Sequence, residues 1–264
     1  MEQKLIFDTH SHYDDKRFDE DRDELLNSLH ACGIGYVVNV GADMESSRAA
    51  LRLSEQYDFV YAALGVHPSD TEGLTEADMD WLRENASREK VVAIGEIGLD
   101  YYWPEPSPDI QKKWFVRQIE LAQEVGLPII VHSRDAAEQT MKLIRETKAY
   151  ECGGVIHCYS YSPEMAKEYV KMGFYIGVGG VVTFKNGKKL KQIVEQIPLE
   201  HIVLETDCPY LSPEPNRGKR NDSRNLCFVV DEVARLKNIS KEEVIRVTTE
   251  NAMKMYRLHE HPHS

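Results

Sequence analysis

The chain has 264 residues with a formal net charge of −12, and 42% of its residues are hydrophobic. This apolar content can build a sizeable core, so the composition excludes a mainly disordered protein. The excess of acidic residues argues against a broad surface that binds nucleic acids irrespective of their base sequence. A local anion site stays compatible with it, because carboxylates can be used to hold metal ions.

The chain lacks the signals of a membrane or secreted protein. No apolar run reaches the roughly 20 residues that a spanning helix needs, and the first five residues lack the apolar stretch of a signal peptide. Five cysteines at irregular spacing indicate free thiols in a reducing compartment, since their number is odd. We therefore expect a cytoplasmic protein with no membrane segment.

Short apolar runs recur along the chain and are typical of buried strands. Eight are predicted: Leu5–Thr9, Tyr36–Val40, Val60–Leu64, Val91–Gly95, Pro128–Val131, Gly154–Ile156, Phe174–Val178 and His201–Leu204. Helical patterns lie between them, and a capping box at Ser240 and Glu243 begins the last helix. Such alternation predicts a parallel sheet with helices outside it. An open doubly wound sheet is the alternative. The count of eight favours a (β/α)8 TIM barrel, an α/β fold with a single domain over residues 1–264.

Potential metal-binding side chains stand where the predicted strands end. The carboxyl ends of parallel strands meet at one mouth of a barrel, where barrel enzymes hold their active sites. Imidazole and carboxylate together suit Zn²⁺ and Mn²⁺, while carboxylate with water suits Mg²⁺. Six ligands exceed the need of one tetrahedral ion, so the sequence predicts two divalent ions that share Glu96. The predicted metal ligands are His10, His12, Glu96, His132, His157 and Asp207.

Three further sets of residues near the mouth are open to more than one interpretation. His67 either takes part in catalysis or turns the chain before Pro68. The aromatic loop 101–104 either stacks on nucleobases or packs over the barrel. Cys158 and Cys208 are predicted to pack, because strand alternation directs them away from the neighbouring ligands, with nucleophilic catalysis as the alternative.

Two loops are locally basic in this acidic chain. Barrels frequently bind phosphate in the loops after strands seven and eight. The run Lys188–Lys191 is interpreted as a solvent-exposed basic surface. Arg134 lies two residues beyond a predicted metal ligand. Guanidinium groups suit phosphate oxygens, and so do backbone N–H groups that a glycine-containing loop leaves accessible. The residues predicted to contact phosphate are Arg134, Arg217, Lys219, Arg220 and Asn221.

The motifs together resemble those of TatD-family metal-dependent deoxyribonucleases, within the amidohydrolase-like metal barrels. The resemblance extends from about Leu5 to Tyr256 and is carried, in chain order, by Asp8-Thr9-His10-x-His12, Gly65-x-His67-Pro68, Gly95-Glu96-Ile97-Gly98-Leu99-Asp100, His132-Ser133-Arg134, His157-Cys158, Glu205-Thr206-Asp207 and Arg217-Gly218-Lys219-Arg220-Asn221. Two stretches depart from the family pattern: Tyr159-Ser160-Tyr161-Ser162 after the His-Cys pair, and Asn221-Asp222-Ser223 after the basic loop. Both concern substrate preference more than metal binding.

The resemblance implies a divalent-metal phosphodiesterase that acts on DNA ends. It implies that one ion binds His10, His12 and Asp207, and that the other binds His132 and His157. Glu96 would lie between the ions and His67 near the scissile phosphate.

On this basis we expect an exonuclease-type deoxyribonuclease with two divalent ions, Mg²⁺, Mn²⁺ or Zn²⁺. Its catalytic residues would be Asp207, which orients or deprotonates the attacking water, together with Glu96 and His67. The substrate would be single-stranded DNA or DNA ends, with RNA possible, and the protein a monomer without an obligatory protein partner. Two alternatives remain open: a D-aminoacyl-tRNA deacylase or another ester or amide hydrolase on the same scaffold, and a binding scaffold with a vestigial metal site.

Overall fold

The structure is a computed structural model that describes residues 5–258. One eight-stranded sheet runs in the order β1 to β8, and each strand pairs in parallel with the next. The strands are β1 Ile6–Ser11, β2 Ile34–Val40, β3 Val60–Leu64, β4 Val91–Asp100, β5 Ile129–Arg134, β6 Gly154–Ile156, β7 Phe174–Val178 and β8 Ile202–Leu204. The predicted (β/α)8 TIM barrel is confirmed, and the open doubly wound sheet is not formed.

Helices alternate with the strands and cover the outside of the sheet. Over residues 5–258 they are α1 Arg22–Ser28, α2 Met44–Gln56, α3 Glu76–Asn85, α4 Pro108–Val125, α5 Ala137–Glu146, α6 Pro163–Lys171, α7 Lys188–Gln196, α8 Leu226–Lys237 and α9 Lys241–Met255. None of these helices is long and apolar enough to cross a membrane. Ser240 begins α9 as predicted, because its side chain accepts a hydrogen bond from the backbone N–H of Glu243 at 3.1 Å.

The apolar residues form two groups. The larger lies between the strands and the helices and includes Trp114 and Phe115 of α4. The smaller contains one or two residues from most strands, such as Phe7 of β1 and Ile130 of β5, together with Tyr256 just after α9. The floor of the barrel is therefore filled with apolar side chains, which leaves the carboxyl ends of the strands for polar chemistry.

β4 extends five residues beyond its predicted end, because the strand continues through two glycines. Gly98 pairs with His132 of β5 and has a φ of +150°. A Cβ atom at Gly98 would lie 1.9 Å from the backbone oxygen of His132. Only glycine allows the two strands to stay this close, and Glu96 therefore lies inside a strand and not in a loop after it.

Replacing Gly98 with alanine should strongly destabilise the protein. The new methyl group must push β4 away from β5 and also adopt a strained backbone conformation. We expect the free energy of unfolding, measured by urea titration, to fall by about 3 kcal/mol or more. The matched control is Gly73→Ala, since a Cβ at Gly73 meets nothing within 4 Å. A Gly98→Ala protein as stable as this control would contradict the argument.

The barrel closes between β8 and β1 mainly through side chains. Within the described part of the chain, the two segments share one isolated bridge, Ser11 with Cys208, in place of a continuous ladder. The hydroxyl of Thr9 donates to the backbone oxygen of Leu204 at 2.9 Å. The buried carboxylate of Asp8 accepts hydrogen bonds from the hydroxyls of Thr206 and Ser223, at 2.7 and 2.6 Å. This closure joins the first and last strands, and with them the residues that follow both.

Candidate metal centre

Four of the predicted ligands converge at one point of the mouth. The Nε2 atom of His10 lies 3.1 Å from Nε2 of His12, 3.3 Å from Oε2 of Glu96 and 3.9 Å from Oδ1 of Asp207. The Nε2 atom of His12 lies 3.4 Å from the same Asp207 oxygen and 3.9 Å from Oε2 of Glu96. A tetrahedral ion with bonds of about 2.1 Å has ligand atoms about 3.4 Å apart, so these spacings fit one divalent ion.

The other predicted ligands face the second oxygen of Glu96. Its Oε1 atom lies 2.7 Å from Nδ1 of His132 and 3.8 Å from Nε2 of His157. The Nε2 atom of His157 also lies 3.7 Å from Oδ1 of Asp207. The two oxygens of Glu96 therefore face two different pairs of histidines, as a carboxylate between two ions would.

Oxygen atoms behind three of the histidines fix the direction of their rings. Nδ1 of His12 lies 2.9 Å from the backbone oxygen of Val40, and Nδ1 of His157 lies 2.9 Å from Oε2 of Glu205. Nε2 of His132 lies 3.0 Å from Oδ2 of Asp100. A ring N–H that donates outward leaves the other nitrogen with its lone pair directed into the cluster, which is the state that binds metal.

His10 follows a different pattern. Its Nδ1 atom is buried and has no hydrogen-bond partner among residues 5–258. All polar contacts of this ring are therefore at Nε2, inside the cluster. With the spacings above, the donor set of imidazole nitrogens and carboxylate oxygens fits divalent cations such as Zn²⁺ or Mn²⁺.

The charges of the cluster also favour a cation. Burial opposes protonation of His157, but the charges of Glu205 and Glu96 outweigh burial and raise the pKa of His157 to about 10. Burial likewise works against the ionised form of Glu96, yet the neighbouring His10 and His157 hold the pKa of Glu96 well below its usual range. The carboxylates thus attract positive charge, and a divalent ion would supply it in place of the proton on the cluster-facing nitrogen of His157.

The cluster opens to solvent on one side. The side chains of His10, Glu96 and His157 are at most 5% exposed, whereas those of His12 and Asp207 are 12% and 19% exposed. A substrate must therefore approach over the partly exposed side chains.

His67 turns the chain as one interpretation predicts, and its catalytic role stays a prediction. Its Nδ1 atom accepts a hydrogen bond from the backbone N–H of Ser69 at 3.1 Å and caps the turn that starts at Pro68. Its Nε2 atom lies 4.0 Å from Oε1 of Glu96. Burial and the charge of His132 lower the pKa of His67 to about 4, which favours the neutral ring.

The predicted phosphate-binding residues divide into two groups. Arg134 is exposed and its guanidinium lies 3.7 Å from the ring centre of Tyr102. Arg217 lies 4.2 Å from the ring centre of Phe184, and Lys219 is exposed. Arg217 also forms a long ion pair with Glu214 at 3.9 Å, whereas Arg134 and Lys219 form no ion pair among residues 5–258.

Arg220 and Asn221, in contrast, are engaged within the protein. Arg220 makes two hydrogen bonds to the carboxylate of Asp21, at 2.7 and 2.6 Å. Asn221 is 1% exposed, and its amide donates to the backbone oxygen of Thr206 at 3.0 Å while its oxygen accepts two hydrogen bonds. The structure therefore does not support phosphate contact by these two residues. A surface ion pair and a loop brace use the same residue types as an anion site, and the sequence motif does not distinguish them.

The prediction that Cys158 points away from the centre is wrong. β6 ends at Ile156, and Cys158 has a φ of 45°, so strand alternation does not extend to it. Ligand atoms of His157, Cys158 and Asp207 all lie within 4.8 Å of one another. Cys208, by contrast, is completely buried, as expected of a packing residue.

Glu205 is the main residue of the centre that is absent from the metal ligands predicted above. Besides facing His157, it accepts the backbone N–H of Cys158 at 2.7 Å through Oε1. A Cβ atom at Gly177 would lie 2.4 Å from Oε2 of Glu205, so β7 needs glycine here to admit the carboxylate. A signal existed in the sequence, because Glu205 precedes Asp207 by two residues at the end of the predicted eighth strand.

Replacing Glu205 with glutamine should loosen the metal centre without removing a ligand. The amide cannot hold the N–H of His157 as strongly as a buried carboxylate does. We expect the affinity for Mn²⁺, measured by competition with a chromophoric chelator, to fall by about 10- to 100-fold. The control is Glu200→Gln, an exposed residue just before β8. Equal affinities in the two variants would show that Glu205 does not support the centre.

The sequence matches the family described as TatD related DNase over residues 7–257. The chain belongs to the TatD family. It is 45% identical over 254 residues to YabD of Bacillus subtilis, across 96% of this chain and all of that protein. It is 34% identical over 257 residues to YcfH of Escherichia coli, across 96% of each chain. Both relatives are described as uncharacterized metal-dependent hydrolases.

Solved structures of TatD proteins have the same fold. The crystal structure of YjjV from Escherichia coli, a TatD homolog, superposes with a TM-score of 0.91 at 28% identity, over 98% of this chain and 100% of that one. A TatD-family hydrolase from Entamoeba histolytica gives 0.85 at 25% identity, over 97% and 99% of the two chains. The protein is thus a metal-dependent hydrolase of the TatD family, with several clusters of His, Asp and Glu that could hold metal.

Proposed function

We propose that this TatD-family hydrolase is a deoxyribonuclease of the exonuclease type that uses two divalent ions. The observation that carries the proposal is the placement of Glu96, whose two oxygens face separate pairs of histidines. The family's description as TatD related DNase supports DNA as the substrate. Two adjacent ions suit displacement at phosphorus, because they stabilise both the attacking and the leaving oxygen.

In this proposal each ion has its own side chains. His10, His12 and Asp207 would hold one ion, His132 and His157 would hold the other, and Glu96 would be shared by both. When bound, the ions supply Lewis acidity and lower the pKa of a coordinated water towards about 7. Mg²⁺, Mn²⁺ and Zn²⁺ all suit mixed imidazole and carboxylate ligands, and their availability in the cell selects among them.

The protein's own side chains orient the reactants. Asp207 is partly exposed and ionised, since its neighbours His12 and His157 outweigh burial and lower the pKa of its carboxyl. It orients the attacking water and accepts a proton from it at a carboxylate oxygen. His67 donates its Nε2–H to a phosphate oxygen. Arg134 at one side, with Arg217 and Lys219 at another, hold the negative charge of the strand.

The proposed compartment of the enzyme is the cytoplasm. All five cysteines are free thiols, which agrees with a reducing compartment such as the cytoplasm. The monomeric state stays a prediction.

The deciding experiment uses the metal-stripped, tag-free protein and end-labelled single-stranded DNA, with and without added Mg²⁺ or Mn²⁺. We expect a metal-dependent ladder that shortens from one end. A protein that binds two ions and leaves DNA intact, yet releases free D-amino acid from D-aminoacyl-tRNA, would overturn the proposal in favour of the deacylase. Cleavage that persists in a chelator would overturn the use of metal.

A further inference from the structure

The loop after β4 presents two large aromatic side chains to solvent. Tyr102 is 53% exposed and Trp103 is 55% exposed, more than any other large hydrophobic residue of the described chain. Their rings are perpendicular, with centres 4.8 Å apart. Tyr101 of the same loop packs against the core, as one of the two interpretations predicts, whereas Tyr102 and Trp103 are more than half exposed. Adjacent exposed aromatics of this size mark a binding surface.

Hydrogen bonds to neighbouring elements fix the backbone of the loop that carries these rings. The side chain of Gln111 in α4 accepts the backbone N–H of Asp100 at 2.8 Å and donates to the backbone oxygens of Asp100 and Pro106, at 2.9 and 2.8 Å. The backbone N–H of Tyr101 donates to the oxygen of Arg134 in β5 at 2.9 Å. The aromatic rings are therefore presented by a fixed backbone, which reduces the entropy lost on binding.

One carboxylate connects this loop to the candidate metal centre. Oδ2 of Asp100 lies 3.0 Å from Nε2 of His132, and Oδ1 accepts the backbone N–H of Tyr102 at 3.0 Å. The same side chain thus orients a proposed metal ligand and the start of the aromatic pair. A ligand that contacts Tyr102 would therefore lie close to the candidate metal centre.

Arg134 supplies positive charge at the same place. Its guanidinium lies 3.7 Å from the ring centre of Tyr102, and no carboxylate within residues 5–258 forms an ion pair with it. Stacking on the ring holds the guanidinium without neutralising it. An aromatic surface next to an unpaired cation matches the chemistry of a nucleotide, which has an aromatic base and an anionic phosphate.

We infer that Tyr102, Trp103 and Arg134 form a stacking platform for an unpaired nucleobase of the strand whose phosphate lies at the metal centre. The inference rests on the proposed function and specifies its substrate. A base inside a duplex is covered on both faces by its neighbours, so it cannot stack on Trp103 without leaving the helix. The platform therefore favours single strands and frayed ends over paired ends.

The test compares the variant Trp103→Ala with wild-type holoenzyme on two single-stranded oligonucleotides, one normal and one with abasic residues throughout. In the wild type we expect KM to be about tenfold higher for the abasic strand, because stacking of one base contributes a factor of this order. In Trp103→Ala the two KM values should become equal, and Trp103→Phe should restore part of the difference. Tyr150→Ala is the control, since Tyr150 is an exposed aromatic near the start of β6, away from the mouth.

A second measurement separates the platform from the nuclease activity. Titration with oligothymidylate should quench a tryptophan fluorescence component that Trp103→Ala lacks. Cleavage of both oligonucleotides with equal wild-type KM values, and no such quenching, would overturn the platform and leave the nuclease proposal intact. Quenching by a protein that cleaves neither strand would support the platform and overturn the nuclease proposal. Quenching retained in Trp103→Ala would place the base elsewhere and overturn the platform.

Discussion

Replacing Glu96 with glutamine is expected to reduce bound metal from two ions to one per chain and to lower the rate of DNA hydrolysis by at least about a thousandfold. Glu96 is 4% exposed, and its two oxygens lie 3.3 Å from His10 and 2.7 Å from His132. A neutral amide offers one oxygen and one N–H group, so it cannot serve both pairs of histidines. Loss of the second ion removes stabilisation of the attacking or leaving oxygen.

Metal content after equilibrium dialysis and the initial rate at saturating Mn²⁺ measure the two parts of this result. Glu89→Gln is the control, because Glu89 is an exposed glutamate just before β4. Two ions per chain and a wild-type rate in Glu96→Gln would refute the shared carboxylate.

The second large effect is expected from Asp207→Asn. Oδ1 of Asp207 lies 3.4 to 3.9 Å from nitrogen atoms of His10, His12 and His157, and the side chain is 19% exposed. Asparagine has almost the same shape but no negative charge and no basic oxygen. We expect kcat at saturating Mn²⁺ to fall by about 10³-fold, within the range for loss of a general base.

The matched control for this variant is Asp231→Asn, an aspartate of α8 that pairs with Lys241 on the outside of the barrel. Added Mn²⁺ should not rescue Asp207→Asn, because the missing group acts on the water as well as on the ion. Full recovery at high Mn²⁺ would limit Asp207 to metal binding.

The periodic features of the sequence were enough to predict the barrel. Apolar runs such as Val60–Leu64 and Phe174–Val178 coincide with the observed strands, because parallel strands covered by helices need apolar residues on both faces. The histidines at strand ends were predicted to meet, and they do. Their assembly follows from topology, since the carboxyl ends of all eight strands open on one side.

The supporting residues could not be predicted in the same way. The role of Glu205 depends on the space that Gly177 leaves in the neighbouring strand, and the role of Asp100 depends on how far β4 continues. The pairing of Arg220 with Asp21 joins residues 199 positions apart. Each is a contact between distant segments, so a local motif can mark the residue, as the position of Glu205 two residues before Asp207 does, but cannot reveal its partner.

The closure of the barrel has a consequence for the newly made chain. The bond from Thr9 to Leu204 spans 195 residues, and that from Ser223 to Asp8 spans 215. During synthesis one edge of the first strand therefore stays unpaired until most of the polypeptide has left the ribosome. A prematurely terminated product that lacks Leu204 and Asp207 has neither the closing strand nor a complete hydrolytic centre. The hydrolase therefore acquires its complete metal centre only when the barrel closes near the end of synthesis.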